Sequence, residues 1–450
     1  MKLKLLLLSA ALSGLPLVAA EVQPTFHKDV ERILQRHCQS CHRPGQVAPM
    51  SLLTYEQSRP WAKAIRSAVL QKKMPPWFAD PHFGKFANER SLTKEEIDTL
   101  VRWADQGAPQ GDAKDAPAPL EFAEGWRIGK PDVVFELPKA FNVPLSGEID
   151  YQYIMLETGF TEDKWVKATE IMAGDARVVH HAIASARLPR KGENVSLGDF
   201  FNISVDALKP RNPAKPNEIL QFIASFGSET VAYYVPGGEP MYAGDDQARL
   251  IKAGSIIMFQ LHYTPIGEAV SDRTKVGLVF ADKPPKQRIK TLNVQNFDFS
   301  IPAEVDDYPI TARAEVKTPF TITSLTPHMH LRGKSFEYTA TYPDGRVETL
   351  LRLPRWDFNW QLTYYLAEPK PIPVGTILQT QGLFDNSPNN PYNPDSKVVV
   401  SYGEQSWDEM MGGLIEVTLD PKIDSAEILG SAPKDMKTEN QARPTGASDL

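Results

Sequence analysis

The chain has 450 residues, 42% hydrophobic and 23% charged, with a formal charge of −7 at pH 7. That balance excludes a low-complexity or collagen-like chain, and its acidic sign gives no reason to expect nucleic acid or an anionic membrane as partner. Only Cys38 and Cys41 are cysteines, so a disulfide-dense scaffold is excluded as well.

The first element is a leader. A charged start, Met1-Lys2-Leu3-Lys4, precedes an apolar run from Leu5 to Ala19, and small residues lead to a cut before Glu21. This is the pattern of a secretory signal peptide over 1–20. An uncleaved anchor is the alternative, but the run is shorter than the ~20 residues a bilayer span needs. The expectation is therefore an exported protein, periplasmic or extracellular, without stable membrane insertion.

Residues 21–110 read as a small helical domain. Phe26, Val30, Ile33 and Leu34 recur at helical spacing, and so do Trp61, Ile65 and Val69. Thr93 to Glu96 forms a capping box, followed by an apolar face of Ile97, Leu100, Val101 and Ala104. Within this domain lies "RHCQSCHRPG", in which Cys38 and Cys41 stand in C-x-x-C spacing directly before His42. This pattern attaches a c-type haem, one per chain and covalent, with His42 beneath the iron. A thioredoxin-like C-x-x-C needs a βαβ context that the helical pattern does not supply. A thioether as sixth ligand raises the potential of such a haem. Met74, before two prolines, is the candidate, and Met50 is the runner-up with only eight residues of chain after His42. The domain resembles a class I cytochrome c. His27, His37 and His82 receive no role.

A segment rich in Ala, Pro, Gly and charge, 111–126, reads as a linker. Beyond it the pattern is that of strands. Ile149, Tyr151, Tyr153 and Met155 alternate, as do Ile256, Met258, Gln260 and His262. "TYPDGRVETL" predicts a hairpin turning at Pro343-Asp344-Gly345. Nearly 300 residues of this texture exceed one ordinary sandwich, so two are expected, over 127–282 and 283–425 with a seam in "DKPPKQ". The tail, 426–450, reads as disordered.

Five of the nine histidines lie in this β region, in groups: His180 with His181, His262, and His328 with His330. Residues two apart on a strand share a face, so His328 and His330 can grip one metal. The adjacent pair starts on opposite faces and needs a bend to converge. A lone His262 in a strand is more often a satisfied core residue than a ligand. Imidazoles suit copper, zinc and iron, and a thioether favours copper(I). "SWDEMMGG" offers Met410 and Met411, although a Met beside an apolar run is commonly core.

The order HH, HY, H-x-H, then D-E-M resembles the copper type II, ascorbate-dependent monooxygenases, the family of peptidylglycine α-hydroxylating and dopamine β-monooxygenases. The resemblance covers about 127–422. "FDNSPNNPYNPD" and "YGEQSWDEMM" are similar to a bacterial branch in which a cytochrome c domain precedes the copper domains. The implied architecture is multidomain: an all-α cytochrome c domain, then two all-β, jelly-roll-like sandwiches with one copper each.

By that resemblance His180, His181 and His262 hold an electron-transfer copper. His328, His330 and Met410 hold the catalytic copper, while Cys38, Cys41, His42 and Met74 serve the haem. The implied activity is hydroxylation of a small organic substrate by O2, with electrons from an ascorbate-like reductant or redox protein entering at the haem. A redox or copper-carrying protein without hydroxylase activity is the alternative. Two positions depart from the peptide-amidating enzyme. Thr326 stands where it anchors a substrate carboxylate with Arg, and Leu414 stands where it has Tyr. The resemblance therefore does not imply a glycine-extended peptide substrate. Arg332 and Lys334 read as solvated turn residues, or alternatively as contacts to an anionic substrate.

Overall fold

The computed structural model describes residues 23–190, 192–193, 195–202, 229–423 and 428–432. The expected leader lies outside them. Among the described residues no helix is long and apolar enough to cross a membrane.

Every described helix belongs to the stretch Phe26–Asp115, and everything beyond is strand and loop. Glu31–His37, Ala62–Leu70 and Lys94–Asp105 close on a core of Phe26, Leu34, Ile65, Leu100 and Trp103. The capping box forms as expected: Thr93 Oγ1 accepts from Glu96 N, and Glu96 Oε2 accepts from Thr93 N. One segment leaves this unit. Phe78 and Phe86 are buried in the apolar core of the last third of the chain, and Trp77 packs on Tyr364 with ring centroids 4.8 Å apart. Asp80 N and Ala87 N donate to Arg352 O and Tyr365 O. The helical unit therefore extends an arm, residues 77–88, that is anchored in the β region rather than in its own core. Aromatic side chains at 77, 78 and 86 explain the arrangement, since a small helical core has no room for all three.

The β region forms two sandwiches. In the first, the strands Gln152–Glu157, Ile256–Tyr263, Val179–Arg187 and Glu229–Tyr234 make a four-stranded sheet. It packs on half of a nine-stranded sheet over Ile154, Ala182, Ala184, Phe259, Val166 and Leu278. In the second, a five-stranded sheet closes on the other half over Ile322, Leu325, Ile415, Phe336, Leu351 and Leu378. The hairpin turn forms at the expected place, with Gly345 at φ +84° and Tyr342 N bonded to Arg346 O.

Two expectations need correction. The seam at 282–287 separates two apolar cores but not two sheets. Gln287–Gln295 pairs in parallel with Gln247–Ile251 of the first half and antiparallel with Met411–Leu419 of the second. One continuous ladder thus fixes the sandwiches relative to each other. The tail is also partly ordered: Ile428 is buried, and Leu429–Ser431 pairs with Tyr308–Val316. Residues 433–450 lie outside the description. A short strand that completes another sheet carries too little pattern of its own to be read in sequence.

Candidate metal centre

The outer face of the four-stranded sheet is turned toward the outer face of the second half of the large sheet. Between them lies a cleft of about 590 Å³ lined by His181 and Gln260 on one side and by Asn293, Thr326, His328 and Met410 on the other. Ile256–Tyr263 is buried along nearly its whole length, which explains why its alternation is weak: one face meets the core and the other meets this cleft.

His180 and His181 reach the cleft through a β-bulge. Val179 pairs with Tyr263 and His181 with His262, so His180 is the extra residue on its strand. A bulge rotates the chain locally and re-aims a side chain, and this is the bend that an adjacent pair requires. The ligand-capable atoms of His180, His181 and His262 all lie within 4.8 Å of one another. His180 Nε2 and His262 Nδ1 are buried with no hydrogen-bond partner. A buried imidazole nitrogen without a partner is costly, and a metal ion supplies one. Tyr151 closes the far side, its ring 5.1 Å from His181 and 4.6 Å from His262.

The second set is built from one strand and the end of its neighbour. His328 and His330 have ring centroids 5.1 Å apart, on a common face as the spacing predicts. Phe320–Met329 pairs with Met411–Leu419, matching His328 with Gly412 and Met329 with Met411. Continuing that register sets His330 level with Met410. Both methionines border the cleft, but Met411 is buried, with its Sδ accepting from Thr380 Oγ1, while Met410 is half-buried. The structure thus separates the two methionines that sequence left open. His330 Nδ1 donates to Asp408 O at 3.4 Å, which leaves Nε2 bare, buried and unpartnered. Gln361 Oε1 accepts from His328 Nδ1. Fixing one ring nitrogen in this way orients the other toward a metal.

A buried carboxylate holds this set. Glu409 is fully buried, and its oxygens accept from the backbone N–H of His330 (2.9 Å), Arg332 (2.6 Å) and Met410 (3.3 Å). Burial pushes the Glu409 carboxyl up to about 8, against these donors and the Arg332 charge. Neither reading of Arg332 survives. It is 1% exposed, with its guanidinium donating to Asn386 Oδ1 and Trp407 O. It clamps "FDNSPNNPYNPD" and the D-E-M loop onto the end of the H-x-H strand, and it meets neither solvent nor the cleft. Lys334, by contrast, is a surface residue donating to Asp306 O.

The two sets form one electrostatic group. Burial holds His180 down to about 4, with the His328 charge adding to it. Burial also holds His181, His262 and His330 well below the usual imidazole range, and each is lowered further by a histidine of the same group. His328 is lowered by burial. Near neutral pH all five rings are therefore uncharged, the form that binds metal. Phe358 separates the sets: it stacks on His180 (4.9 Å, 19°) and lies 6.1 Å from His330. Phe358, Gln361 and Glu409 carry no signal in spacing, because long-range packing alone brings them here.

Among the described residues lining the cleft there is no Lys or Arg. Thr326 and Leu414, the two departing positions, are cross-strand partners and both line it.

At the other site, His42 Nδ1 donates to Met50 O (3.2 Å), leaving Nε2 free as a ligand. Burial pushes the Cys38 thiol up to about 12, unlike the lowered thiol of a redox C-x-x-C. These features fit a thioether-bound haem. Met50 packs against the helical core, and Met74 stands half-buried at the root of the arm. His37 is bonded to Glu96.

No protein-family model and no curated protein matches the chain. Among solved structures it is similar to the crystal structure of the STIV MCP, at 10% identity and a TM-score of 0.24 over 64% of this chain and 96% of that one. It is also similar to the structure of the Gx strain of infectious bursal disease virus, at 10% and 0.18 over 65% and 74%. Scores this low carry no argument.

Proposed function

We propose that this chain is an exported copper-dependent monooxygenase carrying its own c-type haem, with a cytochrome c-like helical unit and two jelly-roll-like copper domains. The observation that carries the reading is the convergence of His180, His181 and His262 within 4.8 Å of one another, with His181 facing His328 and Met410 across one cleft and His330 beside His328. His180, His181 and His262 hold the electron-transfer copper; His328, His330 and Met410 hold the catalytic one. Cys38, Cys41 and His42 hold the haem, with Met74 as its sixth ligand. Bound copper and haem supply the two electrons by which RH and O2, with two protons, become ROH and water.

The chain's own residues do the rest. Gln361 and Asp408 O fix the ring tautomers of His328 and His330. Glu409 and Arg332 keep the strand end that bears His330 in place. A cleft whose described lining includes Glu404 and Glu416 but no Lys or Arg disfavours an anionic substrate, in agreement with Thr326 standing where a carboxylate anchor would be. The external reductant and O2 are the remaining partners.

The test is metal analysis together with oxygen uptake on the purified full chain. The reading expects two coppers and one haem, and substrate-dependent uptake that disappears in His328→Ala. Full metal occupancy with no uptake across uncharged aromatic and aliphatic substrates would instead support a redox or copper-carrying protein.

A further inference from the structure

The haem-attachment turn and the first histidine set lie at opposite ends of one short segment, Asp357–Gln361. At one end is Trp360. A side-chain carbon placed on Gly237 would lie 3.3 Å from Cys41 Sγ and 3.9 Å from Trp360 Cζ3. Thiol, indole and the Arg90 guanidinium (3.4 Å from the same point) therefore flank one glycine, which at φ +72° carries no side chain between them. At the other end, two residues earlier, Phe358 lies nearly parallel on His180 and 6.2 Å from His262. Its approach to His330 is edge-on at 83° and longer than its approach to His180. The segment is stiff. Trp360 N bonds Asp357 O, Leu362 N bonds Trp360 O, and Gln361 Nε2 bonds Phe358 O. Trp360 also packs against the second β core, which fixes the segment to the same body as the cleft.

We infer that Phe358 and Trp360 lie on the route by which a haem attached at Cys41 exchanges electrons with the His180–His181–His262 set. The inference rests on the proposed function. Coupling between separated sites is carried by chains of packed side chains and rigid elements, and here Gly237 is flanked by the Cys41 thiol and the Trp360 indole, covalent chain joins Trp360 to Phe358, and Phe358 stacks on His180. The step is a bare electron exchange: ferrous haem becomes ferric, cupric ion becomes cuprous, and no proton or bond moves.

The experiment uses the full chain loaded with haem and copper. The haem is reduced and the copper oxidised, under argon, without O2 or substrate, and haem oxidation is followed by stopped-flow absorbance. Copper paramagnetic resonance and Soret circular dichroism are recorded alongside. Phe358→Leu and Trp360→Leu are expected to slow haem oxidation by roughly tenfold, with normal haem and copper content, while Phe358→Tyr and Trp360→Phe restore most of the rate. Trp360→Leu should also alter the Soret dichroism, because the indole and the attachment thiol flank the same glycine. Equal rates in the Leu and aromatic variants would overturn the route while leaving the proposed function intact. A loaded wild type whose haem never gives its electron to copper would sink the coupling itself, and the route with it.

Discussion

The two histidine sets solve the same problem by different means. The first draws three imidazoles from two neighbouring strands, and a bulge at His180 turns one of them toward the others. Its support is aromatic, from Tyr151 and Phe358. The second draws two imidazoles from alternate positions of one strand and places Met410 at the start of its neighbour. Its support is polar: Gln361, Asp408 O, and the buried Glu409 with Arg332. The difference teaches that strand periodicity delivers an H-x-H pair by itself, whereas adjacent histidines need an irregularity in the ladder. It also separates a site built mostly of rings from one whose backbone is tethered by a buried carboxyl.

The largest effect expected from breaking this comparison is functional. His328→Ala or His330→Ala should abolish substrate-dependent oxygen uptake. The loss should exceed the roughly 10–100-fold that changes around a metal site cost, and metal analysis should still find copper at the first set. His180→Gln should do the converse, losing copper from the first set while the second retains its own.

Next comes the tether. Glu409→Ala leaves three backbone N–H groups without their acceptor. Each buried donor left unsatisfied costs about 1–3 kcal/mol, measurable as a shift in the denaturant midpoint. Arg332→Ala should cost a similar amount, because it also strands Asn386. If either variant unfolds at the wild-type midpoint, the clamp is misread.

A smaller effect is expected from pH. An imidazole whose folded pKa lies below its unfolded value of ~6.5 takes up its proton more readily when unfolded. Its stabilising contribution is therefore full above about 6.5 and is lost as pH falls toward the folded value, which for His180 is about 4. Glu409, raised to about 8, acts in the opposite sense: its contribution falls as pH rises from its unfolded value toward 8. Chelator-treated protein should lose thermal stability between pH 6.5 and 4, with a shallower loss in His180→Gln. An equal slope in the two proteins would contradict the burial of His180. The smallest effect is expected at Lys334, where replacement by Ala should stay within about 0.5 kcal/mol.

Much of this was legible in the residues. The helical stretch, the capping box of Thr93 and Glu96, the hairpin at Gly345 and the shared face of His328 and His330 follow from local spacing, and the structure has each in place. The need for a bend at His180 was legible too, though not its form. Three features were not. The seam at 282–287 divides cores but not the sheet, because a ladder bond to Gln247–Ile251 depends on a strand distant in sequence. The arm at 77–88 belongs to the β core because aromatic rings follow available space rather than chain order. Arg332 reads as a solvated turn residue until its long-range partners, Asn386, Trp407 O and Glu409, are brought around it.

By itself the sequence determined which side chains could bind metal and haem, and in what order they occur, because ligand chemistry and local periodicity are written residue by residue. Only the tertiary structure decided that the two histidine sets face one cleft with Phe358 between them, that Met411 is buried while Met410 is half-exposed level with His330, and that Cys41 and Trp360 flank the same glycine. Those relations depend on sheet register and packing between residues far apart in the chain, and no local pattern encodes them.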